Sequence, residues 1–323
     1  MLMFRRSSLK LVIIIGLVFS ILLSGCGKKE EKTLSIGEQF GLAYAPLEVM
    51  KSKGFLEAEL KERNLNIEVQ WKKLGNTSAI RESMLSGDLD IGFTAIPPFL
   101  IGKDKGMDWR IIAGISKTSV SLVTKDPDLN SISDLKDNHR IMLPQPGSIQ
   151  HILLMMAAEK GVGRASAYDG QLISMAHPDG VTAFISGNSD LLHFTTPPYL
   201  QEELENGGRV LLDGRESFGG DFTFIVGICQ ERVFKDTKVY ESFKGALVKT
   251  MEYMESDKEG TLKILSEAYD YETGELESYL SDGTTTFGTG VEGIDTFVEF
   301  MERNGLISSS LKDMELFWEQ DAK

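Results

Sequence analysis

A fifteen-residue segment that returns one hundred positions later constrains this chain more than any other feature. Ser86-Gly-Asp-Leu-Asp-Ile-Gly-Phe-Thr-Ala-Ile-Pro-Pro-Phe-Leu100 matches Ser186-Gly-Asn-Ser-Asp-Leu-Leu-His-Phe-Thr-Thr-Pro-Pro-Tyr-Leu200 at six of fifteen positions without a gap. Each copy reads as a helix end, a short strand with an acidic residue at its start, a threonine near the strand end, and a Pro-Pro that opens the next helix. Gly suits the residue just past a helix and Pro its first turn, so the two copies describe the same local path. Two such paths in one chain require two lobes of like design.

The segments around each copy support that reading. The first series is strand Leu34–Ile36, helix Pro46–Lys53, strand Ile67–Trp71, helix Ser78–Ser86 and strand Leu89–Phe93. The second is strand Arg140–Leu143, helix Ser148–Lys160, strand Gln171–Ser174, helix Pro178–Ser186, strand Asp190–Phe194 and helix Pro197–Glu205. Strands alternating with amphipathic helices are the signature of βαβ units on a mostly parallel sheet. The expected fold class is therefore α/β, with two βαβ lobes joined by a two-strand hinge. Val120–Lys125 and Phe218–Phe224 are the expected hinge strands, dividing the chain into residues 34–119 plus 223–323 for the first lobe and 120–222 for the second. Beyond Glu231 the pattern predicts helices at Lys238–Ser256, Lys258–Ala268, Gly274–Leu280, Val291–Asn304 and Ser309–Gln320, packed back on the first lobe.

The N-terminus has the layout of a secretory leader: Arg5, Arg6 and Lys10, then an apolar run from Leu11 to Leu23. That run is shorter than the ~20 residues a spanning helix needs. Leu23-Ser-Gly-Cys26 resembles a bacterial lipobox, which implies cleavage after residue 25, acylation of Cys26 and a polar tether over residues 26–33. Acyl chains contribute roughly 0.8 kcal/mol per buried CH₂, so a lipidated Cys26 would hold a soluble domain at the extracytoplasmic face of the cell membrane. Cys229 is the one other cysteine. The folded domain thus has no internal disulfide and must rely on its core, and the apolar run Phe222–Cys229 predicts a buried, inert thiol.

Without the leader, 31 basic residues face 48 acidic ones, a net charge of about −17. Such acidity argues against nucleic acid and anionic lipid as partners. A monomer is expected.

In an open parallel sheet the ligand crevice lies at the carboxyl ends of strands, beside helix N-termini with unpaired N–H groups. The strand-end loops supply Gly75, Asn76 and Thr77 in the first lobe and Gly147, Ser148 and Thr195 in the second. These are short neutral donors or close-approach positions, a chemistry suited to a small anion held without a salt bridge. In the loop after the first strand, Glu38 could meet an amine, Gln39 bonds either polarity, and Phe40 could cover an apolar group. Tyr44, His151 and Asp221 are weaker candidates. A ring ligand would instead need aromatic walls, for which Phe40, Tyr44, Trp71, Phe99, Tyr199 and Phe218 are available.

Catalytic signatures do not occur: there is no phosphate-binding Gly-x-x-x-x-Gly-Lys-Ser/Thr loop, no His-Glu-x-x-His and no Gly-x-Ser-x-Gly. The histidines at 139, 151, 177 and 193 show no metal spacing. A binding protein without cofactor or metal is expected, not an enzyme.

Ala45-Pro-Leu-Glu-Val-Met-Lys-Ser-Lys-Gly-Phe55, Ser86-Gly-Asp-Leu-Asp-Ile-Gly92 and Pro146-Gly-Ser-Ile-Gln-His151 resemble the nitrate/sulfonate/taurine substrate-binding proteins of ABC importers. The resemblance covers nearly the whole chain after Cys26. It implies a periplasmic-binding-protein fold of type II, with two crossings between lobes, a small-molecule ligand in the interlobe cleft, and a separate permease and ATPase as partners. By motif, it places ligand-binding positions at Glu38, Gln39, Phe40, Asn76, Thr77, Thr94, Ala95, Ser148 and Gln150. It does not carry the ligand's identity, since the scaffold serves nitrate, sulfonates, taurine, aromatic acids and thiamine-type pyrimidines. A surface sensor that has lost transport is the third alternative.

Overall fold

The computed structural model describes residues 32–281, 283–308, 311 and 315–318. The expected leader, Cys26 and most of the tether lie outside the described residues, as does most of the expected helix Ser309–Gln320. Among the described residues, no helix is long and apolar enough to cross a membrane.

The chain opens with β1 (Lys32–Glu38), α1 (Ala45–Lys53), α2 (Phe55–Glu62), β2 (Ile67–Lys73), α3 (Thr77–Ser86), β3 (Ile91–Ala95), α4 (Ile96–Asp104) and β4 (Arg110–Lys117). It then builds a second sheet from β5 (Ser121–Thr124), β6 (Arg140–Leu143), α5 (Ile149–Val162), β7 (Leu172–Ser174), α6 (His177–Ser186), β8 (Leu191–Thr195), α7 (Tyr199–Glu205), β9 (Arg209–Asp213) and α8 (Gly214–Phe218). The return to the first sheet consists of β10 (Ile225–Cys229), α9 (Glu231–Lys235), α10 (Thr237–Ser256), α11 (Lys258–Tyr269), α12 (Thr273–Ser281), β11 (Thr286–Phe287) and α13 (Ile294–Arg303).

The first sheet has strand order β11-β4-β10-β3-β1-β2, the second β7-β6-β8-β5-β9. β1 and β3 are parallel, with Ile36 opposite Ile91, and β6 is parallel to both β7 and β8. Each sheet also contains one strand that has just crossed from the other. β10 runs antiparallel beside β3, pairing Ile225 with Ala95 and Cys229 with Ile91. β5 runs antiparallel beside β8, pairing Ser121 with Thr195. The two strands of the recurring sequence segment, β3 and β8, therefore hold equivalent places, each next to a crossing strand.

Every residue of β3, β5 and β10 is buried. Strands covered on both faces read as continuous apolar runs rather than as alternation. α5 is likewise apolar on all sides and buried from Ile149 to Ala158, as a helix must be when it is covered all round. Cys229 lies in β10, free and buried, its thiol pushed up to about 12 by desolvation.

Two expectations need correction. Phe218–Phe224 is not a strand. Asp213 caps α8 by accepting from the Arg215 N–H at 2.7 Å, Phe218 ends that helix, and Gly219 takes φ +98°, a turn that breaks any extended run. Phe218 and Phe222 then pack on Phe297, at centroid distances of 4.8 and 5.7 Å. Residues 315–318, within the expected helix Ser309–Gln320, are not helical either. The Ile111 N–H donates to Leu316 O at 2.8 Å and the Trp318 N–H to Ile111 O at 3.2 Å, so this segment covers the edge of β4 that short β11 leaves open.

Candidate functional site

The carboxyl ends of β1 and β3 in one lobe and of β6 and β8 in the other face the same cleft. Its first-lobe wall is Gln39, Phe40, Tyr44, Gly75, Thr77, Ala95, Phe224 and Ile225; its second-lobe wall is Pro144, Ser148, Ile149, Gln150, His177 and Thr196. None of these residues is Lys or Arg.

Helix starts shape both walls. Asn76 is the N-cap of α3, its side chain accepting from the Ala79 N–H at 3.0 Å, and Thr77 is the first helical residue. Ser148 caps α5 in the same way, accepting from the His151 N–H at 3.3 Å, with Ile149 and Gln150 following. First-turn amides have no partner inside their own helix, so each start brings a partial positive charge to the cleft. Gln145 reaches across from the second lobe and accepts from the Ser78 N–H at 3.1 Å.

Of the positions singled out in the sequence, Gln39, Phe40, Tyr44, Gly75, Thr77, Ala95, Ser148 and Gln150 line this cleft. Gln39 donates to Phe93 O at 3.4 Å, and the Lys73 ammonium lies 5.8 Å from the centroid of the Phe40 ring. Thr94 and Thr195, near the ends of β3 and β8, lie just behind the walls, 1% and 0% exposed, their hydroxyls without a hydrogen-bond partner. Asn76 is spent on its cap. Gly147 donates its N–H to His151 Nδ1 at 3.0 Å, and His151 Nε2 meets Asp169 at 3.1 Å, so both are engaged in holding the loop.

Three positions are not brought to the cleft. Glu38 is buried in an ion-pair group with Lys51, at 3.2 Å, next to Glu48 and Lys73; burial and the Glu48 charge push its carboxyl up. Phe218 belongs to the aromatic cluster at the second crossing. Asp221 is exposed and pairs with Arg215 at 3.2 Å.

Sequence reading passed over His177, the first residue of α6. It lines the cleft and stacks on Tyr199, with centroids 5.9 Å apart. Its Nε2 is 3.1 Å from Gln150 Nε2 and its Nδ1 is 3.1 Å from His193 Nε2; His193 Nδ1 in turn bonds the Glu203 carboxyl. Burial lowers His177 to about 4 and His193 well below its usual value, so both rings are neutral at pH 7. The one available signal was position, a histidine between a strand end and Pro178. Among the described residues, no group of three or more His, Cys, Asp or Glu could hold a metal ion.

The profile of the family described as NMT1/THI5 like matches residues 43–259. An Escherichia coli K12 protein provisionally named as aliphatic sulfonates-binding is 27% identical over 161 residues, and the match spans 49% of each chain. This chain thus aligns with about half the length of that curated relative. Among solved structures, the alkanesulfonate-binding protein of Xanthomonas axonopodis pv. citri, bound to MOPS, superposes with a TM-score of 0.69 at 20% identity, over 87% of this chain and 96% of that one. The periplasmic nitrate-binding protein of Synechocystis PCC 6803 superposes with a TM-score of 0.67 at 16% identity, over 88% of this chain and 85% of that one. These likenesses establish the fold.

Proposed function

Because the chain belongs to the NMT1/THI5-like family and has the fold of periplasmic binding proteins, we propose that it is the extracytoplasmic solute-binding lipoprotein of an ABC importer, anchored through Cys26. It binds a small organic anion, such as a sulfonate or taurine, between its lobes and delivers it to the permease. The reading is of a binding protein and not of an enzyme. The observation that carries it is the set of neutral donors, Gln39, Thr77, Ser148, Gln150, His177 and Thr196, that converge from both lobes on one cleft free of Lys and Arg. Helix starts and neutral donors hold a compact anion without a counter-charge. The named ligands of the Escherichia coli and Xanthomonas axonopodis relatives are sulfonates, which fits that chemistry.

A ring-bearing ligand is the second reading, favoured by Phe40, Tyr44 and Phe224 on the same walls. Thermal unfolding against taurine, alkanesulfonates, nitrate, aromatic carboxylates and pyrimidines separates the two. A ligand at 100 times its Kd adds about 2.7 kcal/mol to stability. Stabilisation by sulfonates alone supports the anion; stabilisation by ring compounds alone overturns it.

A further inference from the structure

Behind His177 the structure contains two more groups in a line, closed to solvent. His177, His193 and Glu203 are 9%, 0% and 0% exposed. The links are His177 Nδ1 to His193 Nε2 at 3.1 Å and His193 Nδ1 to Glu203 Oε1. Room for this line is made by Gly180 of α6: a Cβ there would lie 2.5 Å from His193 Nε2, so any larger residue would push the ring away from His177.

A neutral imidazole carries one N–H, so the direction of one link fixes the direction of the next. If His193 Nδ1 accepts, its proton is on Nε2 and is donated to His177 Nδ1; the proton of His177 is then on Nε2, at the cleft wall. If His193 Nδ1 donates, both rings reverse, and His177 offers the cleft a lone pair. Glu203 decides between them. Its second oxygen, Oε2, is buried with no hydrogen-bond partner. An ionised carboxylate would leave that oxygen charged and bare in the core, whereas a neutral acid leaves only a carbonyl oxygen there and donates its O–H to His193. Burial first, and the Glu202 charge second, push Glu203 up to about 9, with Lys125 opposing.

We infer that Glu203, acting through His193, holds His177 in the tautomer that presents an N–H to the cleft, and is thus a positioning residue that selects ligands rich in hydrogen-bond acceptors. The inference rests on the reading of this cleft as an anion site. In that tautomer His177 Nε2 and the Gln150 amide, 3.1 Å apart, both bring N–H groups to the wall. As placed, Gln150 Nε2 donates to a bare His177 Nε2, which is the other tautomer; with the ring proton on Nε2 the Gln150 amide turns over and its Oε1 accepts that proton, until an oxyanion takes both donors.

The tautomers are read directly by long-range ¹H–¹⁵N correlation of the ring nitrogens at pH 7, in protein without ligand, with resonances assigned from His177→Phe and His193→Phe variants. Nε2–H on both rings is the expected result; Nδ1–H on either overturns the inference. Binding of ethanesulfonate supplies the second readout. Glu203→Gln keeps a donor for His193 and should preserve both the tautomers and the affinity within about threefold, whereas Glu203→Leu should reverse the tautomers and weaken binding about tenfold or more. Unchanged tautomers and affinity in Glu203→Leu would also overturn the inference. Should ethanesulfonate fail to bind any form, the anion reading falls, while the tautomers of the free protein still decide the relay.

Discussion

The Leu42 N–H donates to Pro197 O at 3.0 Å, joining the loop after β1 in the first lobe to the Pro-Pro turn after β8 in the second. Bonds around it share the work of holding the cleft closed. Tyr271 donates to Glu202, and Tyr279 to Glu205 at 3.3 Å, so two residues of α7 are held by the first lobe's helical layer. On another side of the interface, Arg303 pairs with Glu159 at 2.7 Å. The space left in the cleft is small, about 30 Å³. On the proposed function, a ligand enters when these bonds open and the lobes part by hinge motion.

Removing the two phenol donors should loosen the closed form. The double variant Tyr271→Phe/Tyr279→Phe is expected to raise the radius of gyration of the free protein in X-ray scattering and to weaken ligand binding about two- to tenfold per tyrosine. Equal scattering and equal affinity would show that these pairs are surface contacts with no part in closure.

The two helix-start hydroxyls should separate by their second roles. Thr77→Val removes a hydroxyl from the cleft wall without touching a cap, so anion affinity should fall about tenfold, as for a hydrogen bond to a charged group, with little change in Tm. Ser148→Ala also removes the cap of α5 and should cost about 1 kcal/mol of stability besides. Calorimetric titration and thermal unfolding of both variants check this; wild-type affinity in both would mean that the donors sit on the wrong wall.

Most of the βαβ framework was legible because its signals are local. The boundaries of β6, α3 and α6 fall within about one residue of the expected ones, since Asn76, Ser86-Gly87 and Pro178 act on their own neighbourhoods. The segments misread or missed owe their conformation to distant partners. β4 is a buried apolar run whose pairing with β10 is set more than one hundred residues later. Phe218–Phe224 carries strand-like aromatics, but their partner is Phe297 of α13. For the site, the loops at strand ends could be found from the strands themselves, which is why Gln39, Thr77, Ser148 and Gln150 share one cleft. His177 could not be found that way, because its interest lies in His193 and Glu203, brought to it only by the packing of α6 and α7 on β8. Glu38 was read as available for the opposite reason: its pairing with Lys51 and its burial beside Glu48 are tertiary facts.

The aromatic cluster at the second crossing should carry stability rather than affinity. Phe297 is fully buried against Phe218 and Phe222, so Phe297→Ala should cost about 3–5 kcal/mol through lost burial and the cavity left behind. Denaturant unfolding measures that loss. Ligand affinity at a temperature where the variant stays folded should change less than about threefold, as expected if Phe218 is no part of the cleft; a much larger loss of affinity would bring Phe218 back into the binding site.

The relay also predicts how stability changes with pH. His177 is held near 4 against an ordinary 6.5, so between those values the unfolded chain binds the proton that the native state refuses. Stability therefore rises with pH through that window, and His193, shifted the same way, adds to the rise. Glu203 acts with the opposite sign. Raised from 4.5 to about 9, it keeps its proton in the native state where the unfolded chain has lost it, so stability falls as pH rises between those values and levels off above about 9. Below 6.5 the two histidines outweigh the one acid; above it, Glu203 acts without them. From these groups the maximum should lie near pH 6.5, with an alkaline limb falling by up to about 1.4 kcal/mol per pH unit. Glu203→Gln removes the ionisation and should flatten that limb while leaving the acid limb in place. Thermal unfolding of wild type and variant from pH 4 to pH 10 decides it: an alkaline limb of equal slope in both would mean that Glu203 is already ionised in the folded protein at neutral pH.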